Sequence, residues 1–225
     1  MKNSNITSFA AVLLVLFFSG CSTTETRQGL ATSEPDAART LYSSPQAPIV
    51  VANVDNRSGF GQGIFTTGDP MGSQAKTILI THLAQTRRFS VLDRDNMEEA
   101  RREAEILGET QNLLSASYII TGDVSEFGRK YVQTQALFGI LGRGRQQVAY
   151  SRVNLYVVDI RSSAVVLSVS GAGEVALSDQ EILGFGTTAG YDSTLNGKVL
   201  DEAIRQAVDR LAEAIDSGRW NPRST

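Results

Sequence analysis

Cysteine, histidine and tryptophan occur once each in these 225 residues, and proline only five times. A lone cysteine rules out an intrachain disulfide. With a lone histidine beside it, the chain also lacks the side chains for a transition-metal site or for a Cys–His or Ser–His nucleophile. The sequence therefore points away from an enzyme and calls for no metal and no cofactor. His82 falls on a helix that already buries an Ile and Leu face, and reads as an exposed helical residue. Excess positive charge is missing too: 21 Lys and Arg stand against 24 Asp and Glu, a net charge of −3. Such a chain raises no basic field for nucleic acid and no polybasic patch for anionic lipid. Nor is there an apolar run of the about 20 residues that a membrane-spanning helix needs.

The longest apolar run, Phe9–Phe18, is short but informative. It follows Lys2 and leads into Ser19-Gly20-Cys21, the plan of a secretory signal: a positive start, a short apolar stretch and small residues before the cut. With no second cysteine to pair with, Cys21 reads as the acceptor of a diacylglycerol, as in bacterial lipoprotein signals, and becomes the first residue of the mature chain. Phe18 stands where a leucine is usual in such signals. Ser22 follows the cysteine in place of an inner-membrane aspartate and gives an outer-membrane address. Residues 1–20 are expected to be the signal peptide. Residues 21–48, rich in Ser, Thr, Ala, Glu and Pro and without apolar periodicity, are expected to be a lipidated tether, able to wrap a neighbouring subunit. Residues 49–225 then form the folded domain.

Within that domain, Ile49–Val54 is a β-branched run ended by Asp55-Asn56-Arg57-Ser58-Gly59, a buried strand entering a turn. A loop, Phe60–Asp69, follows. Asp69 caps a helix with Pro70 at its first position, and Met71, Ala75, Ile78, Leu79 and Leu83 share one face. Phe89–Leu92 is a short strand. Asn96–Leu107 is a charged helix stopped by Gly108, whose acidic and basic residues form a solvated face and subunit contacts. Tyr118–Val124 is a further strand, and Val199–Ser217 a last helix with Leu200, Ile204, Val208, Leu211 and Ile215 on a stripe closed by Gly218. The order describes an α/β (α+β) fold, a mixed sheet with flanking helices.

Between Phe127 and Asn196 the helical period gives way to alternation. Val132, Thr134, Ala136, Phe138 and Ile140 share one face against Tyr131, Gln133 and Gln135, Gly142-Arg143-Gly144-Arg145 reads as a turn, and Gln146–Val157 returns with a phase shift near Arg152 that suits a bulge. A second hairpin, 165–196, places Val165, Leu167, Val169, Gly171, Gly173 and Val175 on one face, turns at Asp179-Gln180-Glu181 and returns through Leu183, Phe185 and Thr187. Gly184-Phe185-Gly186 lacks the Lys-Ser/Thr ending of a phosphate loop. Legs of this length suit tilted membrane strands, and Val132, Ala136, Phe138, Val169, Val175 and Phe185 are then the lipid face. Four strands cannot close a barrel in lipid, so insertion requires a ring of identical subunits. The same alternation also fits two hairpins that extend a soluble sheet with one buried face.

The strand bearing Asn53-Val54, the helix Pro70–Leu83, Phe89–Arg94, Phe138-Gly139-Ile140 at a hairpin tip, Val153–Asp159 and Gly218-Arg219-Trp220 occur in an order and spacing that resembles a known family. These are the outer-membrane lipoprotein channels of curli secretion and holdfast attachment, the CsgG/HfaB family, and the similarity runs from Ile49 to Trp220. The resemblance implies a periplasmic domain, lipid-anchored in the outer membrane, in a homo-oligomer of about nine subunits whose hairpins build a barrel of about 36 strands. It implies a secretion channel for unfolded curli-like or other surface fibre or adhesin protein, served by a periplasmic accessory protein. It also implies a constriction from the loop after the first strand, with Phe60, Gln62, Ile64 and Phe65 as the narrowing residues. That loop and the second hairpin are shorter than in the curli channel. This leaves a second expectation, a non-pore lipoprotein ring or adaptor for exopolysaccharide export or for activation of an envelope enzyme.

Overall fold

The computed structural model describes residues 33–60, 68–135, 143–176 and 193–223. All belong to one compact unit, Ser33–Thr225. After a 3-10 turn, Asp36–Arg39, come strand β1 (Ala47–Asn56), helix α1 (Pro70–Gln85), strand β2 (Phe89–Val91) and helix α2 (Met97–Leu107). Strands β3 (Tyr118–Gln135), β4 (Arg143–Asp159) and β5 (Val165–Ala176) follow, and helix α3 (Ser193–Asp216) ends the fold. The strands form one mixed five-stranded sheet in the order β2-β1-β3-β4-β5. β1 runs parallel to β2 and to β3, while β3–β4 and β4–β5 are antiparallel.

One face of the sheet carries the core. Ile49, Val51, Ile120, Leu155, Val157 and Val169 bury themselves there beneath Ala75, Leu79 and Leu83 of α1 and Val199, Leu200, Ile204, Val208 and Leu211 of α3. At roughly 2 kcal/mol for each such side chain taken from water, this layer supplies most of the drive to fold. α3 approaches β5 closely because Gly171 and Gly173 lie under Ala203 and Ala207. A Cβ on Gly171 would sit 2.6 Å from the Ala207 amide nitrogen, and nearer still to the Ala203 carbonyl oxygen.

Local chemistry explains the element ends. Asp69 accepts from the Gly72 amide at 2.8 Å and caps α1, with Pro70 in its first turn. Asp93 accepts from the amides of Asp95 and Asn96 at 3.0 and 3.2 Å, turning the chain into α2. Gly108 and Gly218 end α2 and α3 at φ 71° and 72°, the left-handed conformation glycine adopts without penalty. Beyond Gly218 the Trp220 ring meets Tyr118 edge-on at 5.2 Å and stacks on Phe89 at 6.2 Å, closing the end of the core where β1 begins.

Two features differ from the sequence-based expectation. The bulge expected near Arg152 is on the partner strand, between Val124 and Glu126, so the phase shift belongs to β3. Arg143, Gly144 and Arg145, expected in a turn, pair in β4 with Gln135, Thr134 and Gln133.

Residues 33–46, read as part of the tether, lie along α3. Ser33 donates to Asp201, the Ala37 amide donates to Asp209 Oδ1 at 3.0 Å, and Ala37 is buried. The anchor is Arg88, 1% exposed. Its guanidinium donates to Asp216 (2.9 and 2.5 Å), to the carbonyls of Ala37 and Thr86 (2.9 and 3.0 Å) and to the Thr40 hydroxyl (2.8 Å). A fork of five donors makes all five contacts at once, which a lysine with three donors cannot do.

Candidate functional site

Because β1, β3 and β5 all point the same way, the segments that follow them leave from one end of the sheet. At that end β3 and β4 outrun their neighbours. β1 stops pairing at Val124 and β5 at Val148, opposite Lys130, so Tyr131–Gln135 and Arg143–Gln147 stand beyond the sheet as a two-stranded ribbon. From Ser125 to Gln135 β3 covers about 35 Å at ~3.3 Å per residue. Tyr131 and Val132 are 70% and 38% exposed on this ribbon.

The loop after β1 is tied at both ends. Asp69 accepts from the Asn56 amide at 2.7 Å while capping α1, so one carboxylate joins the strand end to the helix start. Asn56 accepts from the Ser58 amide and hydroxyl at 3.1 and 2.6 Å and donates to the Phe60 carbonyl at 2.7 Å. The Phe60 ring lies 4.7 Å from that of Phe127 and packs on the core. It was expected in a pore constriction, and its ring lies against β3 of the same chain. Phe60→Ala should therefore cost about 1–2 kcal/mol of stability, read as a lower denaturation midpoint. A variant as stable as the parent would mean that Phe60 contributes nothing to this packing.

The remaining expected site residues divide in two. Cys21, Gln62, Ile64, Phe65, Ala136, Phe138 and Phe185 lie outside the described residues. Val169 and Val175, expected on a lipid face, point instead to the helix-covered face: Val169 is buried and Val175 packs against the same cluster. The alternation in β5 up to Ala176 thus marks a sheet face covered by α3. No helix among the described residues is long and apolar enough to cross a membrane, which says nothing of strands.

The open face of the sheet carries a polar group that the sequence pattern did not single out. Asp123, 5% exposed, accepts from Asn154 Nδ2 at 3.0 Å and Tyr156 Oη at 3.3 Å, and Asn154 Oδ1 accepts from Ser170 at 2.8 Å. The network crosses β3, β4 and β5 and fixes their register from the side opposite the helices.

His82 is a correction. It is 2% exposed, with Nε2 2.8 Å from Asp201 Oδ1 and Nδ1 3.0 Å from Gln85 Oε1. α1 packs against α3 along this stripe, and His82 follows Ala75 and Leu79 at helical spacing. Burial opposes charging the ring, but the hydrogen bonds to Asp201 and Gln85 and the Asp201 charge outweigh it and raise the pKa above 6.5. A raised folded-state value means that the stabilisation is complete below the unfolded pKa and is lost as pH rises through the folded one. The stability gap between the parent and His82→Gln should accordingly be widest near pH 6 and narrow toward pH 8.5. A gap that widened with pH in matched thermal melts would show that the ring is held neutral.

The profile of the family described as curli production assembly/transport component CsgG matches residues 35–224, from the docked N-terminal segment to the end of the fold. The chain belongs to this family. A protein of Neisseria meningitidis serogroup B named as a candidate lipoprotein is 52% identical over 204 residues, covering 90% of this chain and 91% of that one. Two solved structures show fainter likeness. The PelC dodecamer of Paraburkholderia phytofirmans is 17% identical over 74% of this chain and 93% of that one, with a TM-score of 0.36. The LpoB C-terminal domain of Salmonella enterica is 14% identical over 58% and 84%, with a TM-score of 0.32.

Proposed function

We propose that the chain is a lipid-anchored subunit of a homo-oligomeric outer-membrane secretion channel that passes unfolded surface protein, with its folded domain in the periplasm and no catalytic role. The supporting observation is the common exit of three segments from one sheet end, led by the β3–β4 ribbon. The N-terminal segment fits the same orientation. α3 runs antiparallel to β5, away from the ribbon end, and Ser33, Ala37 and Thr40 lie in turn beside Asp201, Asp209 and the Arg88–Asp216 pair. The chain therefore joins the domain nearer the ribbon end. The twelve peptide steps from Cys21 to Ser33 reach at most about 43 Å, so lipid at Cys21 holds this end toward the membrane.

One observation favours a second reading, a non-pore lipoprotein ring or adaptor. β5 is committed to the soluble core as far as Val175, so a second membrane hairpin would have to come from the residues beyond it. Full-length protein extracted in detergent separates the two readings. Ring particles with a barrel above them that conduct ions in planar bilayers are expected for the channel, and rings without a barrel or conductance would replace it by the adaptor. Cys21→Ser should leave the protein exported but absent from the outer-membrane fraction.

A further inference from the structure

α2 is a helix without a covering. None of its eleven residues is buried. Ile106 and Leu107 are 77% and 71% exposed, and just beyond, Leu113 and Leu114 are each 53% exposed. An eleven-residue helix is marginal in water on its own, and four large apolar side chains on one short segment form an interaction patch rather than scattered surface residues. The patch lies on the connection that leaves edge strand β2 and returns beside β1 into β3 through Ser117, whose amide donates to the Pro48 carbonyl.

The β5 edge of the sheet carries a second patch. Ile160, Val165 and Val166, at the β4–β5 turn and the start of β5, are 44%, 58% and 42% exposed. Charge differs in sign between the two. Around the first stand Glu98, Glu99, Glu103, Glu105 and Glu109 against Arg101 and Arg102. Beside the second stand exposed Arg161 and Arg210, the latter donating to the Ser170 carbonyl on the β5 edge.

We infer that these two surfaces meet between copies of this chain: α2 and the 113–114 segment of one copy seat against residues 160–166 of the next. The inference rests on the homo-oligomer reading and deepens it by naming the contact. Two different patches make a head-to-tail contact, which propagates around a ring, whereas one self-complementary patch would stop at a dimer. The acidic helix against the arginine-bearing edge sets the direction, and the leucines supply the apolar centre.

Cysteine cross-linking on full-length, detergent-extracted protein tests this, with the parent protein as control for Cys21. With Leu107→Cys and Val166→Cys in the same chain, a short bis-maleimide should give a ladder of cross-linked species. The two variants made separately and co-expressed should stop at the dimer, and each alone should stay monomeric on a denaturing gel. Self-linkage of Leu107→Cys alone would show a two-fold contact and overturn the proposal. So would full-sized oligomers of the double variant that fail to cross-link, while leaving the homo-oligomer reading intact. A parent protein that sediments as a monomer would overturn both.

Discussion

Gly171→Val should lower the unfolding midpoint by about 6–12 °C, from a destabilisation of about 3 kcal/mol or more. The site has no room for a side chain. A Cβ there would overlap the Ala203 carbonyl and approach the Ala207 nitrogen, both on the backbone of α3, which cannot swing aside as a flexible side chain would. The helix would have to lift from β4 and β5, opening the layer that holds Leu200, Ile204 and Leu211, so overpacking at one point becomes loss of contact along the helix. Ala172→Val, one residue on and on the exposed face, should change the midpoint little. The pair makes the test specific, since both add a β-branched residue to the same strand. Equal midpoints for the two variants would mean that α3 does not rest on the glycines.

The same glycines show how much of this fold was legible in the sequence. Strand, helix and turn order could be read because the signals are local: Asp69-Pro70, Gly108 and Gly218 mark helix ends by their own chemistry, and the stripe through Leu200, Ile204 and Leu211 has helical period. The side to which β5 faces could not be read. Alternation gives two faces but does not say whether lipid or a helix covers the apolar one, and Val169-x-Gly171-x-Gly173 suits either. The deciding fact lies some 30 residues away, in Ala203 and Ala207, whose small size matches the glycines. His82 was misread for a related reason. Its spacing from Ala75 and Leu79 placed it on the buried stripe, but a polar residue there needs a partner, and that partner, Asp201, is on another helix. Arg88 left no signal at all, because its acceptors on residues 37, 40, 86 and 216 converge only in the folded chain.

That convergence carries the second large effect. Arg88→Ala should cost about 3 kcal/mol and release residues 33–46 from α3. The guanidinium is 1% exposed, so the carbonyls of Ala37 and Thr86 lose donors at a place where water has little access. Asp216, with a side chain 45% exposed, can rehydrate, which keeps the loss below that of a fully enclosed ion pair. Arg88→Lys should recover only part of the stability, because an ammonium replaces the two-pronged contact with Asp216 by one and cannot reach Ala37 and Thr40 together. Arg39→Ala, on an exposed side chain of the same segment, should be close to neutral. Two measurements separate a local from a global effect. Denaturation gives the size of the loss, and limited proteolysis under native conditions reports whether cleavage within 33–46 precedes unfolding of the domain. If Arg88→Ala loses stability with no early cleavage in that segment, the arginine supports the core alone. If early cleavage appears, the bonds from Ser33 to Asp201 and from Ala37 to Asp209 do not suffice to hold the segment that leads toward Cys21, and the grip of Arg88 sets how firmly the domain is oriented on its lipid anchor.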